Sequence, residues 1–87
     1  RVGWFFNWSF SSTGADFRAR VTVDGVQYAY ISQEPKDGGT DQNHPASGFF
    51  PVVITAGSAT ILLQYWCESG GNTAYMRNAR MEFWRTL

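Results

Sequence analysis

Residues 17–32 read Phe-Arg-Ala-Arg-Val-Thr-Val-Asp-Gly-Val-Gln-Tyr-Ala-Tyr-Ile-Ser, and this stretch decides the fold class. Up to Val23, apolar residues alternate with polar ones, which is the period of a β-strand with one buried face. Asp24-Gly25 follows, and this pair favours a type I′ turn because both central positions need positive φ. The stretch therefore predicts a β-hairpin whose second strand runs from Val26 to about Ser32.

The residues before the hairpin carry the same two-residue period, with a wide aromatic face. A turn cluster at Ser11-Ser12-Thr13-Gly14 separates this first strand from the hairpin. Aromatic residues form 17% of the chain, and they fit a pleated, half-buried surface better than a helix. One face of the first strand carries Val2, Trp4, Phe6, Trp8 and Phe10.

The residues after the hairpin are less regular. Gln33 to Gly48 holds two of the three Pro and three of the nine Gly without apolar periodicity, so a long loop is expected there. A fourth strand is predicted over Phe49 to Thr55, followed by a tight turn at Ala56-Gly57-Ser58. A fifth strand, Ala59 to Trp66, has apolar residues on both faces and therefore reads as a central strand.

The last strand is predicted from Thr73 to about Arg85, after a turn at residues 68–72. Its apolar series changes phase near Asn78, and a β-bulge at Arg77-Asn78 explains the change.

Six or more short strands without a helical segment predict an all-β fold, an antiparallel β-sandwich of jelly-roll-like type. Since the chain has 87 residues, it forms one domain over residues 1–87. The side chains expected to be buried between the sheets are Trp4, Phe6, Trp8, Phe17, Val21, Val23, Ile61, Leu63, Met76 and Met81.

Charge and composition narrow the classes of partner. Seven basic residues balance seven acidic ones, so the basic surface required by nucleic acid or an anionic membrane is absent. No apolar run approaches the ~18 residues of a membrane helix, and no secretion leader is recognised. Arg1 reads as a processed end or the start of a fragment, and Cys67 is the single cysteine, expected to be buried or idle.

The polar loop offers two kinds of chemistry, neither of which is favoured. His44 lies near Asp41 and Ser47, but no nucleophile-elbow pattern surrounds them, so no catalytic residue and no enzyme activity are expected. Glu34, Asp37, Asp41 and Asn43 would supply oxygen ligands for a hard cation, although a solvated acidic loop is the more common explanation of such residues. No cofactor is expected, and Asn7-Trp8-Ser9 is interpreted as an accidental glycosylation sequon.

Aromatic residues in the outward phase have two interpretations. Phe5, Tyr28, Tyr30 and Trp66 would serve as a platform for sugar rings, or they would be covered by a second layer or subunit. The last strand adds Arg77, Arg80 and Arg85 with Glu82. These charges either protect a sheet edge or make ionic contacts in a symmetric assembly.

Two segments of the C-terminal third carry a family resemblance. Residues 55–65 read Thr-Ala-Gly-Ser-Ala-Thr-Ile-Leu-Leu-Gln-Tyr, and residues 70–81 read Gly-Gly-Asn-Thr-Ala-Tyr-Met-Arg-Asn-Ala-Arg-Met. They resemble the TAG-x-x-T-I-x-L-x-Y and G-N-T-A-Y-I-R-N-A-R-L strands of small β-sandwich modules in virion proteins of tailed bacteriophages. Met76 and Met81 stand where Ile or Leu is usual.

The resemblance implies a non-catalytic virion module at the particle surface, either a capsid decoration protein or part of a fibre. Such modules commonly trimerise, so a homotrimer in contact with other virion proteins is expected. The alternative is a carbohydrate-binding or receptor-binding module. The candidate interface residues are Tyr28, Tyr30, Trp66, Arg77, Arg80, Trp84 and Arg85.

Overall fold

A computed structural model describes residues 1–36, 39–55 and 57–85, with the backbone alone at 39–42. The described residues form six strands and no helix, so none of them belongs to a helix that could cross a membrane. The strands are β1 (Val2–Phe10), β2 (Phe17–Val23), β3 (Val26–Gln33), β4 (Gly39–Phe50), β5 (Ile61–Cys67) and β6 (Ala74–Phe83).

The six strands form two antiparallel three-stranded sheets. Sheet A has the order β4-β1-β6, and sheet B has the order β3-β2-β5. The first strand thus lies beside the last and the second beside the fifth, a nested pairing that suits the expected jelly-roll-like sandwich. The all-β, sandwich-like class predicted from the sequence is confirmed by the six strands of the described residues.

The core lies between the two central strands, β1 and β2. Phe6, Trp8 and Phe10 contact Phe17 and Ala19 in one buried cluster, in which the Trp8 and Phe17 rings stack at 4.8 Å. Burial of each such aromatic side chain stabilises the fold by roughly 1.5–3 kcal/mol. A second cluster comprises Val2, Val21, Val23 and Phe50.

Half of the predicted core is fully buried, namely Phe6, Trp8, Phe17, Val21 and Val23. The other five face the core but are only partly buried: Trp4, Ile61, Leu63, Met76 and Met81. Four of these five lie on β5 or β6, and an edge strand is covered from one side less than a central strand is.

The long loop expected over Gln33 to Gly48 is wrong, since β4 occupies most of it. This strand pairs with β1, with Trp8 opposite His44 and Trp4 opposite Gly48. The strand was not predicted because its small and polar residues show no apolar periodicity. Such residues fit there because the large rings of β1 fill the space beside them. Pro45 is compatible with β4 because this is an edge strand, where the N–H side of a residue can face solvent instead of a neighbouring strand.

Two further strand assignments are corrected. The fourth strand was expected over Phe49 to Thr55, but β4 ends at Phe50 and residues 51–55 have no regular structure. The fifth strand was expected at the centre of its sheet, whereas β5 is an edge strand. Its second apolar face is exposed instead of buried. Of the predicted turn at 56–58, Ala56 lies outside the described residues.

The hairpin turn and the bulge are both confirmed. Asp24 and Gly25 have φ of 48° and 85°, as a type I′ turn requires. Asn78 has φ of 54°, and at this point two residues of β6 lie opposite one residue of β1. The bulge has a consequence for the surface: Arg77 and Arg80 are three residues apart, yet both pair with outward-facing residues of β1.

Replacing Gly25 with Val is expected to destabilise the fold by roughly 1 kcal/mol or more, since a β-branched side chain resists positive φ. A Cβ at this position would meet no atom within 4 Å, so the effect arises from the backbone alone. The matched control is Gly70→Val, which is equally open but has no positive φ. Equal melting temperatures for the two variants in thermal denaturation would refute this account.

Gly48→Ala is expected to destabilise the fold by about 1–3 kcal/mol through overpacking. A Cβ there would lie 2.6 Å from the Trp4 ring, which is held between the sheets. Gly3→Ala is the control, because its Cβ meets the far end of the exposed Trp84 side chain on the surface and no ring between the sheets. Urea unfolding of both variants measures the difference, and an unaffected Gly48→Ala variant would contradict the close packing.

Candidate functional site

The candidate interface residues do not gather in one place. Tyr30 and Trp66 lie on the outer face of sheet B, whereas Arg77, Arg80 and Trp84 lie on the outer face of sheet A. The core separates these two surfaces, so a single contact surface containing all of them is excluded for one chain.

The sheet B face consists of Arg20, Tyr30, Leu62, Gln64 and Trp66. Arg20 lies at its centre on β2, paired with Tyr30 on one side and Gln64 on the other. Its Nε donates a 2.8 Å hydrogen bond to Gln64 Oε1, and its guanidinium lies 5.6 Å from the Trp66 ring centroid. Tyr30 and Trp66 approach to 6.2 Å while remaining 47% and 36% exposed. The result is an exposed aromatic surface, with the two rings tilted by 45° and a hydrogen-bonded cation at its centre.

A hydrogen-bonded network borders this face. Arg18 forms an ion pair with Glu68 at 2.9 Å and donates from Nε to Ser32 Oγ. Ser32 in turn donates to Asp16 Oδ2 at 2.6 Å. Because Glu68 is about fifty residues away in the chain, no local sequence pattern indicated this network. This network pairs the charge of Arg18 with that of Glu68, and it holds one end of sheet B in place.

Tyr28 does not belong to the sheet B face. It is the extra residue of a bulge in β3, between the pairs Val21–Ala29 and Thr22–Gln27. Its ring stacks on Phe50 at 5.2 Å. Phe5 lies on sheet A, so the sugar platform expected from Phe5, Tyr28, Tyr30 and Trp66 does not exist as one surface.

The sheet A face consists of Gly3, Phe5, Phe49, Arg80, Glu82 and Trp84. Guanidinium groups lie over its rings: Arg80 is 4.7 Å from the Phe5 centroid, and Arg1 is 4.7 Å and 5.3 Å from those of Phe49 and Trp84. Phe49 is 66% exposed and Trp84 44%. Cation–π contacts at exposed sites contribute about 0.5–1 kcal/mol each, so they order these side chains more than they stabilise the fold.

A cavity of about 190 Å³ opens on the sheet A face. It is lined by Gly3, Trp4, Phe5, Gly48, Phe49, Arg80, Glu82 and Trp84. The rings of Trp84 and Trp4 occupy the positions that side chains on Gly3 and Gly48 would take. A Cβ on Gly3 would lie 2.7 Å from the Trp84 ring, so this glycine sets how closely the ring approaches the sheet. The cavity was not predicted, since Gly3 and Phe49 come together only through the β1–β4 pairing.

Arg77 is engaged within the chain. It donates hydrogen bonds of 2.8 Å to Ser9 Oγ and Asn43 Oδ1, and it lies 4.9 Å from the Tyr75 ring centroid. These contacts connect β6 with β1 and β4. The structure therefore gives Arg77 a role in holding sheet A together, and its role in an interface stays a prediction.

Arg85 lies at one end of the molecule, beside an open groove of about 860 Å³. Val53 and Phe83 line this groove and are 86% and 61% exposed. The molecule is elongated, with a radius of gyration of 14.3 Å against about 12 Å for a compact domain of this length. The groove is one place where the two sheets do not cover their apolar residues.

Asp41, Asn43, His44 and Ser47, which were considered from the sequence for metal binding or catalysis, all lie in β4. His44 lies in β4 and not in a loop, and its ring is 4.5 Å from that of Trp8. Ser47 lies three residues along the strand, so it points to the opposite face. No three His, Cys, Asp or Glu residues come together among the described residues. Asp37 and the Asp41 side chain fall outside them.

Several contributors to both faces escaped sequence reasoning. Arg20 lies on the sheet B face, and Gly3 and Phe49 lie on the sheet A face. Only the strand pairing shows these positions. Cys67 is partly buried, with its Sγ 3.5 Å from the Asn72 carbonyl oxygen.

No family model, curated protein or solved structure matches the chain.

Proposed function

We propose that this chain is a non-catalytic structural module that assembles with copies of itself through the sheet B face. The observation that supports this most directly is the cluster of Tyr30, Arg20 and Trp66. Tyrosine, tryptophan and arginine are the residue types that dominate binding energy in protein interfaces. In this cluster both rings are exposed and the arginine is already held in place, so little side-chain freedom is lost on association.

The chain as a whole supports self-association. Twelve large apolar side chains are at least 36% exposed among the described residues, a large number for a domain this small. The net charge is zero, so no long-range repulsion keeps two copies apart. In a closed symmetric ring every copy makes the same contacts, so residues exposed on one isolated chain become buried in all copies.

We propose that the assembly belongs to a virion, because residues 55–65 and 70–81 resemble virion modules of tailed bacteriophages. On this proposal the chain is a trimer on the particle surface, as a capsid decoration protein or part of a fibre, and it contacts other virion proteins. The opposite placement of His44 and Ser47 supports a non-catalytic role, since a nucleophile and its base must lie within hydrogen-bond reach.

The alternative is a carbohydrate-binding or receptor-binding module. The cavity on the sheet A face favours it, because aromatic walls and two charged side chains converge there. The two functions use opposite faces and are therefore compatible in one chain.

Trp66→Asp is expected to shift the protein toward monomer, since a carboxylate must be desolvated at the centre of the contact. Sedimentation velocity at micromolar concentration measures this, with wild-type chain expected at three times the 9.8 kDa monomer mass. Tyr75→Asp is the matched control, because Tyr75 is 42% exposed but lies on sheet A. A wild-type chain that stays monomeric at high micromolar concentration would overturn the proposal.

The virion placement has its own test. Particles of the phage that encodes the chain, purified on a density gradient, are expected to contain it in a fixed ratio to the major capsid or fibre protein. Quantitative mass spectrometry of washed particles gives that ratio. Recovery of the chain only from the unassembled lysate fraction would contradict a structural role in the virion.

A further inference from the structure

We propose that the cavity on the sheet A face binds a single neutral hexopyranose ring, as a unit of a glycan. This inference does not rest on self-association, because the cavity lies on the opposite side of the core from Trp66.

The size of the cavity limits the ligand to one ring. Pockets that hold drug-sized molecules have volumes of roughly 300–1,000 Å³. At about 190 Å³, this cavity is smaller than that range and open to solvent on one side. A sugar unit at the end or within a chain can enter such a site while its neighbours remain outside.

The walls match the two chemical characters of a pyranose. One side of the ring presents C–H groups, which pack on aromatic rings. The rings of Phe5, Phe49 and Trp84 line the cavity, and each already has a guanidinium group over one face. The hydroxyl groups at the rim of the ring need both donors and acceptors. Arg80 offers donors only and Glu82 offers acceptors, so one of each lines the cavity.

The two charged side chains that line the cavity have opposite signs. Arg80 and Glu82 lie on the same strand, two residues apart and on the same face. A carboxylate on the ligand would be attracted by Arg80 and by the nearby Arg1 guanidinium but repelled by Glu82 in the same small space. A neutral ring meets no such opposition, and it can use both side chains.

The side chains are held before any ligand arrives. Arg80 lies over Phe5, and Arg1 lies over both Phe49 and Trp84. Trp84 rests against Gly3, and its backbone N–H donates to the Arg1 carbonyl oxygen at 2.9 Å. An ordered site loses less conformational entropy on binding, which matters for a ligand this small.

The test is a titration with methyl glycosides of glucose, galactose and N-acetylglucosamine, followed by two-dimensional amide NMR. At least one is expected to give saturable shifts at Gly3, Gly48 and the Trp84 indole, with a dissociation constant on the order of 1 mM. Sorbitol is the ligand control, since it has the hydroxyl groups but no ring face, and it is expected to give none.

Two variants locate the site. Trp84→Ala removes one wall, and Gly3→Ala places a methyl group where the Trp84 ring now lies, so each is expected to weaken binding about tenfold or more. Gly3→Ala removes no side chain and keeps the test valid if Trp84→Ala unfolds. Phe83→Ala is the matched control, because Phe83 is the adjacent exposed aromatic but does not line the cavity.

Three results would overturn the proposal. They are the absence of saturable shifts at concentrations about 100-fold above the expected constant, shifts confined to Tyr30 and Trp66, and unchanged affinity in a folded Gly3→Ala variant.

Discussion

The contact between β1 and β2 is the interaction on which the rest of the structure depends. These are the central strands of the two sheets, and the stacked rings of Trp8 and Phe17 bring the sheets together. The packing is strong enough to tolerate unfavourable polar burial. The indole Nε1 atoms of Trp4 and Trp8 are buried without a hydrogen-bond partner among the described residues, and each such group costs about 1–3 kcal/mol. The rings must therefore contribute more through burial than their N–H groups lose.

The same aromatic residues determine what their neighbours can be. Rings as large as those of Trp4 and Trp8 need small or flat partners on β4, and Gly48 and His44 lie directly opposite them. This explains why β4 carries few large apolar residues before Phe49 and Phe50. With only three strands in each sheet, four of the six strands are edges, and much apolar surface remains in water.

Sequence reasoning recovered the features that depend on local chemistry. The alternation in β1 and β2, the Asp24-Gly25 turn and the bulge at Asn78 are each specified by a few adjacent residues. It failed where the pairing partner determines the structure of a segment. β4 has no periodic signal of its own, and it forms a strand because it pairs with β1. The two outer faces were predicted only in part, for a related reason. Their members come from strands distant in sequence, so the places of Arg20, Gly3 and Phe49 follow only from the strand pairing.

The placement of the two outer faces on opposite sides of the core affects how weak contacts add up. The molecule measures only 20 × 15 Å across its narrow directions, so copies joined through sheet B would direct every sheet A face away from the joint. A site of low affinity then gains from multivalency, because each further contact with a repetitive surface becomes intramolecular. Such avidity can exceed the affinity of one site by about 10²–10⁴ without any new contact. For a small domain, retention on a surface would thus depend on the number of copies that face it together.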